Sequence, residues 1–149
     1  MLKKSAVALA LFAALFCTSQ SFAGTPDLVV TSAVLNGTPA LYTFDVTVEN
    51  HGSVASPASA VEIRMIGTST QRLGALAPTT SYPCYTILPG KSRVLHIPVP
   101  ASMLLYLQMW RSKLVYFDAV SDFQNAISET ESAVGESNNT SAFTFLPLQ

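Results

Sequence analysis

Residues Leu41 to Glu49 read LYTFDVTVE, and this stretch decides the fold class. Tyr42, Phe44 and their apolar neighbours occupy alternate positions, with threonine and acidic side chains between them. A period of two is typical of a half-buried β-strand. Asn50-His51-Gly52 follows with the residue types of a turn. The pattern therefore predicts one strand of a β-sheet that is apolar on one face and polar on the other.

Six further segments have strand-like patterns. They are Leu28–Leu35, Val61–Ile66, Leu73–Leu76, Arg93–Val99, Leu114–Val120 and Ala142–Leu146. Asn36-Gly37 predicts a chain reversal after the first of them. Leu73–Leu76 is short and is expected at a sheet edge, as is the segment that contains Pro98, since proline cannot donate to a strand ladder. Seven short strands separated by turns predict an all-β sandwich.

The segment Pro78–Ile87 (PTTSYPCYTI) interrupts this rhythm. Its turn-forming residues predict a loop, which carries Tyr82, Cys84 and Tyr85.

The segment Ala101–Trp110 (ASMLLYLQMW) predicts one short helix between the late strands, with Ser102 as its N-cap. One helical face collects Met103, Tyr106, Leu107 and Trp110. Since Leu104 and Leu105 make the segment apolar nearly all round, two interpretations stay open. The helix either plugs one end of the sandwich or presents an exposed methionine and aromatic binding patch.

The N-terminus has the pattern of a cleavable secretory signal peptide over residues 1–23. Lys3 and Lys4 precede the apolar run Ala6–Phe16, and small side chains at Ser21 and Ala23 predict cleavage before residue 24. The apolar run is shorter than the roughly 20 residues that span a bilayer. We therefore expect a secreted or periplasmic domain of residues 24–149 with no transmembrane segment after cleavage.

Cleavage changes the charge of the chain. The whole sequence has eight Lys and Arg against nine Asp and Glu, a formal net charge of −1. Loss of Lys3 and Lys4 lowers that charge to −3. A mildly acidic chain without a basic run argues against nucleic acid or an anionic membrane as a partner.

The cysteines exclude an intramolecular disulfide in the mature chain, because Cys17 leaves with the signal peptide and Cys84 stays unpaired. Cys84 is either a thiol without a role or the donor of an intermolecular disulfide.

Several segments together resemble the CARDB domain, a bacterial cell-adhesion-related family with an immunoglobulin-like sandwich. The matching residues are Pro26–Val30, Val46–Gly52, Leu88–Ser92, Val120, Asp122, Asn125, Ile127, Glu129 and Glu136–Asn139. The sequence departs from the family pattern at residues 130–135, which lengthen the stretch before the last match, and in the tyrosine-rich and Met103–Trp110 segments. The resemblance implies an immunoglobulin-like antiparallel β-sandwich of about seven strands.

What the resemblance implies about function is a non-catalytic binding, adhesion or assembly module in the bacterial envelope or outside the cell. Its partner would be another envelope or extracellular protein, with a glycan as a second option. The aromatic and methionine side chains expected to carry the contact are Tyr82, Tyr85, Met103, Tyr106 and Trp110. Trp110→Ala is then expected to weaken binding and leave the melting temperature nearly unchanged.

Calcium is the one cofactor that the residues suggest, since calcium binds six to eight oxygen ligands. The candidate ligands are Asp118, Asp122, Asn125 and Glu129, although their spacing does not match an EF-hand. The competing interpretation is structural, in which polar side chains here, including Asn138 and Asn139, fix the turn into the last strand.

Catalytic signatures are weak. His51 falls in a predicted turn and His96 within a predicted strand, and neither belongs to a nucleophile motif. A thiol enzyme that uses Cys84 would need electropositive surroundings and an orienting group. The sequence predicts no enzyme.

Overall fold

The computed structural model describes residues 24–38, 41–74, 77–110, 112–122 and 140–145. Its elements are β1 (Leu28–Thr38), β2 (Leu41–Asn50), β3 (Ser59–Thr68), β4 (Thr79–Cys84), β5 (Ser92–Pro98), α1 (Ala101–Met109), β6 (Val115–Ser121) and β7 (Thr140–Phe145). The described residues therefore form seven strands, with one short helix between the fifth and the sixth.

The strands make two antiparallel sheets. One sheet has the order β1-β2-β5 and the other the order β4-β3-β6-β7. The alternating side chains of β2 point inward at Tyr42, Phe44, Val46 and Val48, as the period of two predicts. Phe44 meets Phe117 of the opposite sheet edge to face, with 5.1 Å between ring centroids. This architecture confirms the predicted immunoglobulin-like antiparallel β-sandwich.

Contacts between the sheets define two ends of the sandwich. At one end, the Ser121 hydroxyl donates a 2.8 Å hydrogen bond to the carbonyl oxygen of Leu28. At the other, the rings of Tyr42 and Phe145 lie 5.8 Å apart. We call the first the loop end, where segments 51–58 and 85–91 lie. We call the second the helix end, where α1, the described residues of segment 66–78 and the β1–β2 reversal lie.

Strand β4 lies inside the segment Pro78–Ile87, for which the sequence predicts a loop. Thr80 pairs with Ile63 and Tyr82 with Val61, so their side chains turn toward the core. Few apolar residues mark this strand, and its proline is tolerated because β4 is the edge of its sheet. The predicted edge strand at Leu73–Leu76 is wrong at Leu73, which lies outside any strand.

Strand β1 continues past Asn36-Gly37, and the chain reverses between Thr38 and Leu41. Gly37 has a φ of 107°, and a Cβ there would lie 2.1 Å from the carbonyl oxygen of Leu41. Glycine is therefore required at position 37 within the β1–β2 ladder. The reversal predicted at Asn36-Gly37 occurs two residues later in the chain.

Candidate interaction surfaces

Three of the five predicted contact residues, Met103, Tyr106 and Trp110, lie in α1 or at its C-terminal cap. Met103 is fully buried and Trp110 is 2% exposed, while Tyr106 is partly buried with its ring centroid 5.1 Å from that of Trp110. The role predicted for Met103 and Trp110 as exposed partner contacts is contradicted, because this face of α1 packs onto the core. The interpretation in which the helix plugs the sandwich is the one that fits.

The helix also begins differently from the prediction. Pro100 is the N-cap and makes no side-chain hydrogen bond, and Ser102 lies within the first turn. Proline has a backbone suited to a helix entry and cannot continue the preceding strand pairing.

The two tyrosines from the predicted loop differ in exposure. Tyr82 is partly buried against the core, whereas Tyr85 is 61% exposed. The guanidinium carbon of Arg93 lies 5.9 Å from the centre of the Tyr85 ring. Arg93 is at the start of β5 and α1 follows the end of that strand, about 20 Å away along seven residues. The structure therefore does not bring the five predicted residues into one site.

Tyr85 is one of several exposed side chains on the loop-end segments 51–58 and 85–91 and at the start of β5. Val54 and Leu88 are 36% and 58% exposed. Lys91 and Arg93 are exposed on the same loop and the following strand. We call this group, Val54, Tyr85, Leu88, Lys91 and Arg93, the loop-end patch. It combines an aromatic ring, two aliphatic side chains and two cations, and Tyr85 and Arg93 are of the residue types enriched at protein interfaces.

Asn50 holds the two loops that carry this patch. Its Nδ2 donates to the carbonyl oxygens of Val54, at 2.7 Å, and Ile87, at 2.9 Å. Its Oδ1 accepts from the backbone N–H groups of Asp27, at 3.1 Å, and Gly52, at 2.9 Å. Asn50 is fully buried, and these bonds use both of its donors and both acceptor positions. A single amide thus fixes three separate backbone segments.

Two further features rigidify the same end. The N–H of Ser56 donates to the carbonyl oxygen of Ile87 at 2.9 Å, and the Ser56 hydroxyl accepts from the Ile87 N–H at 3.0 Å. Gly52 approaches the N-terminal segment so closely that a Cβ would lie 2.2 Å from the carbonyl oxygen of Thr25. The loops are therefore held before any partner arrives, which lowers the entropy lost on binding.

A second exposed surface, absent from the sequence prediction, lies at the helix end. Leu105 and Met109, one turn apart on α1, are 64% and 65% exposed. Leu41, at the β1–β2 reversal, is 77% exposed, and Leu114 is 49% exposed. The signal was available in the sequence, because a helix that is apolar all round exposes apolar side chains whenever only one face is buried. We call these four residues the helix-end surface.

His96 lies on the outer face of the β1-β2-β5 sheet, beside Asp45. Its Nδ1 is 2.6 Å from Asp45 Oδ1, and Asn36 Nδ2 donates to Asp45 Oδ2 at 2.6 Å. The hydrogen bond from His96 lowers the pKa of the Asp45 carboxyl below its ordinary value of 3.8, against a smaller opposing effect of burial. The three side chains form a polar cluster on an exposed strand surface.

Cys84 is 1% exposed at the end of β4, and its Sγ lies 3.7 Å from the carbonyl oxygen of Tyr85. Burial raises the pKa of this thiol above its ordinary value of 9.0, although Arg93 acts in the opposite direction. A nucleophilic cysteine needs a lowered pKa and access to solvent. The structure therefore favours the buried thiol without a role over the thiol enzyme and the intermolecular disulfide.

The predicted calcium ligands do not assemble within the described residues. Asp118 lies on the outer face of β6, with Oδ2 3.9 Å from Nη2 of Arg64. Asp122 is 4% exposed just after the strand, with a φ of 48°. Three strand residues lie between them, which puts their Cα atoms about 13 Å apart along the extended backbone, too far for the pair to converge on one ion. In the part of the chain that the structure describes, no three His, Cys, Asp or Glu side chains could hold a metal.

Four other predicted site residues fall outside the described residues. They are the candidate calcium ligands Asn125 and Glu129 and the turn residues Asn138 and Asn139. The predicted signal peptide, residues 1–23, also lies outside them. None of the helices in the described ranges has the length and apolar character needed to span a bilayer.

Two packed antiparallel sheets with loops held at one end define an immunoglobulin-like β-sandwich module. The family model CARDB matches residues 25–143, which is most of the chain. The chain belongs to the CARDB family, a non-catalytic domain family, and the resemblance seen in the sequence is confirmed.

Solved structures share this fold at low sequence identity. A domain of a "putative cell surface protein" from Methanosarcina acetivorans is 20% identical, with a TM-score of 0.61, over 84% of this chain and 94% of that one. The CARDB domain of a Pyrococcus furiosus protein, in complex with di-metal ions, is 19% identical, with a TM-score of 0.56, over 83% and 90%. A comparison with curated proteins gave no match.

Proposed function

We propose that residues 24–149 form an exported, non-catalytic binding or assembly module that acts in the bacterial envelope or outside the cell. It holds another envelope or extracellular protein at the loop-end patch. The observation that carries the proposal is the Asn50 hydrogen-bond network, which fixes the two loops that expose Val54 and Leu88. Membership of the CARDB family and the cell-surface description of the Methanosarcina acetivorans protein support the location.

The chemistry of the patch specifies the partner. Lys91 and Arg93 favour an acidic rim, and Tyr85 and Leu88 favour an apolar centre. Tyrosine and arginine are enriched among the residues that dominate binding energy. A glycan that stacks on the Tyr85 ring is the alternative ligand at the same surface.

The test is capture from a cell-envelope extract with immobilised residues 24–149, with mass spectrometry of the retained proteins. A partner should be lost with Tyr85→Ala/Leu88→Ala and kept with Leu105→Ser/Met109→Ser, which removes two equally exposed apolar side chains from the other end. Both variants must first show the melting curve of a folded domain. A partner retained equally by both variants would disprove the assignment to the loop end.

A calcium-binding structural domain is the second candidate function. It is supported by the Pyrococcus furiosus domain in complex with di-metal ions and by the oxygen-bearing side chains between residues 118 and 139. If it is correct, millimolar calcium raises the melting temperature by linkage, and Asp122→Asn reduces the rise. No change in melting between calcium and a chelator removes this candidate.

A further inference from the structure

The helix end carries exposed cations and, among its described residues, no acidic side chain. None of the nine Asp and Glu residues falls in segments 66–79 or 98–115 or after residue 136. The same segments contain three of the six Lys and Arg of residues 24–149, namely Arg72, Arg111 and Lys113. Strand pairing places the described residues of segments 66–79 and 98–115 at the helix end, since Thr68 pairs with Val115. Arg72 and Lys113 are exposed there.

Three of the described acidic residues lie toward the opposite end, which also carries Lys91 and Arg93 of the loop-end patch. Asp27 precedes β1, and Asp122 follows β6. Glu49 pairs with Ser92, the first residue of β5, and so lies beside the loops of the same end. Net charge alone argues against an anionic membrane, but it averages over the whole chain, whereas the helix end has cations and no acid in its described residues.

The helix end also carries the apolar side chains with the largest exposed fractions. Leu41, Leu105 and Met109 are each more than 60% exposed, and Leu114 is 49% exposed. They come from the β1–β2 reversal, from α1 and from the residue before β6. Residues 98–110 contain no charged side chain, so no charge on α1 opposes entry of Leu105 and Met109 into an apolar environment.

We propose that the helix end docks peripherally on the surface of an anionic lipid bilayer. Leu41, Leu105 and Met109 enter the boundary between headgroups and acyl chains, and Arg72 and Lys113 lie against anionic headgroups. Exposed apolar side chains with a basic rim are the pattern of interfacial membrane binding. Each Lys or Arg near such a surface raises affinity about fivefold. Docking in this orientation points the loop-end patch away from the membrane, toward a partner.

Vesicle cosedimentation tests the proposal. Residues 24–149 contain all seven strands and the whole described core, and their use removes the apolar run Ala6–Phe16, which would bind lipid by itself. We expect sedimentation with vesicles of phosphatidylglycerol and phosphatidylcholine (1:1), and much less with pure phosphatidylcholine. Raising the salt should release the protein, because salt screens exposed charges.

Two sets of variants locate the contact. Leu105→Ser/Met109→Ser should weaken vesicle binding by at least about tenfold, since two apolar side chains leave the interface. Arg72→Gln/Lys113→Gln should weaken it and reduce its dependence on salt. Val34→Ser/Val94→Ser is the matched control, because it removes two side chains that are 47% and 51% exposed on the outer face of the β1-β2-β5 sheet.

Three results would overturn the proposal. They are equal sedimentation with both vesicles, helix-end variants that bind as the wild type does, and no sedimentation at all. Retention on immobilised polyglutamate without vesicle binding would assign the helix end to an acidic protein instead. The outcome is independent of the loop-end capture experiment, because the two use variants at opposite ends of the molecule.

Discussion

The side-chain nitrogen of Asn50 lies 2.9 Å from the carbonyl oxygen of Ile87 and donates a hydrogen bond to it across 37 positions of the chain. Both groups are buried. A buried amide that loses its partners retains the full cost of its desolvation, whereas a satisfied one stabilises the fold. Asn50, the last residue of β2, therefore fixes the position of the two loop-end segments, 51–58 and 85–91.

Asn50→Ala should lower the free energy of unfolding by about 3 kcal/mol, because four backbone groups lose their side-chain partner inside the protein. Urea unfolding of residues 24–149 measures it. Asn36→Ala is the matched control, since the Asn36 side chain donates its hydrogen bond to Asp45 on an exposed face and its loss should cost less than about 1 kcal/mol. Equal losses for the two variants would show that the Asn50 network contributes nothing specific.

Trp110→Ala should destabilise the protein by about 3–5 kcal/mol, because it removes a large side chain that is 2% exposed in the core. The sequence predicts an unchanged melting temperature for this variant. The melting temperature and urea unfolding of Trp110→Ala therefore distinguish an exposed partner contact from a buried core residue. Met109→Ala, one residue earlier and 65% exposed, should change stability by less than about 1 kcal/mol. Trp110→Phe provides a milder variant if Trp110→Ala does not fold. A small effect of both Trp110 variants would place the ring outside the core.

The sequence predicts an element of this fold well when the pattern that forms it lies within one short segment of the chain. The alternation in Leu41–Glu49 predicts β2 because one strand carries its own burial pattern. The sequence does not predict strand β4, because its inward residues include the polar Thr80 and because Pro83 is compatible with a strand only at a sheet edge. Since the period of two depends on hydrophobic contrast, a polar strand gives no signal.

The candidate site was predictable only in part. The helical face with Met103 and Trp110 follows from spacing, but a helix that is apolar all round does not reveal which face packs inward. The importance of Asn50 depends on carbonyl groups at residues 54 and 87, whose approach is a property of the folded chain. Tyr85 was identified from composition, and its neighbour Arg93 became visible only in the structure.

Cys84 should react slowly with a thiol reagent such as iodoacetamide in the native protein, at least about a hundredfold more slowly than in urea, because the core must open first. A Ser102→Cys variant in a Cys84→Ser background, with an exposed thiol, should react quickly without denaturant. The folded-state pKa of Cys84 lies above its unfolded value. Its contribution to stability is therefore complete below about pH 9 and is lost as the pH rises toward the folded pKa. Native alkylation as fast as that of the exposed cysteine would contradict the buried position.

Acid should weaken the Asp45–His96 interaction. The pKa of Asp45 is lowered in the folded state by the hydrogen bond from His96, so its contribution to stability is present above the ordinary value of 3.8 and is lost as the pH falls through the folded pKa. A double-mutant cycle with Asp45→Asn and His96→Gln should give a coupling of at most about 1 kcal/mol at pH 7, since both side chains are partly exposed. Urea unfolding of the four proteins at pH 7 and pH 3 measures the change. A coupling that is unchanged or larger at pH 3 would show that the carboxylate of Asp45 is not the group that His96 stabilises.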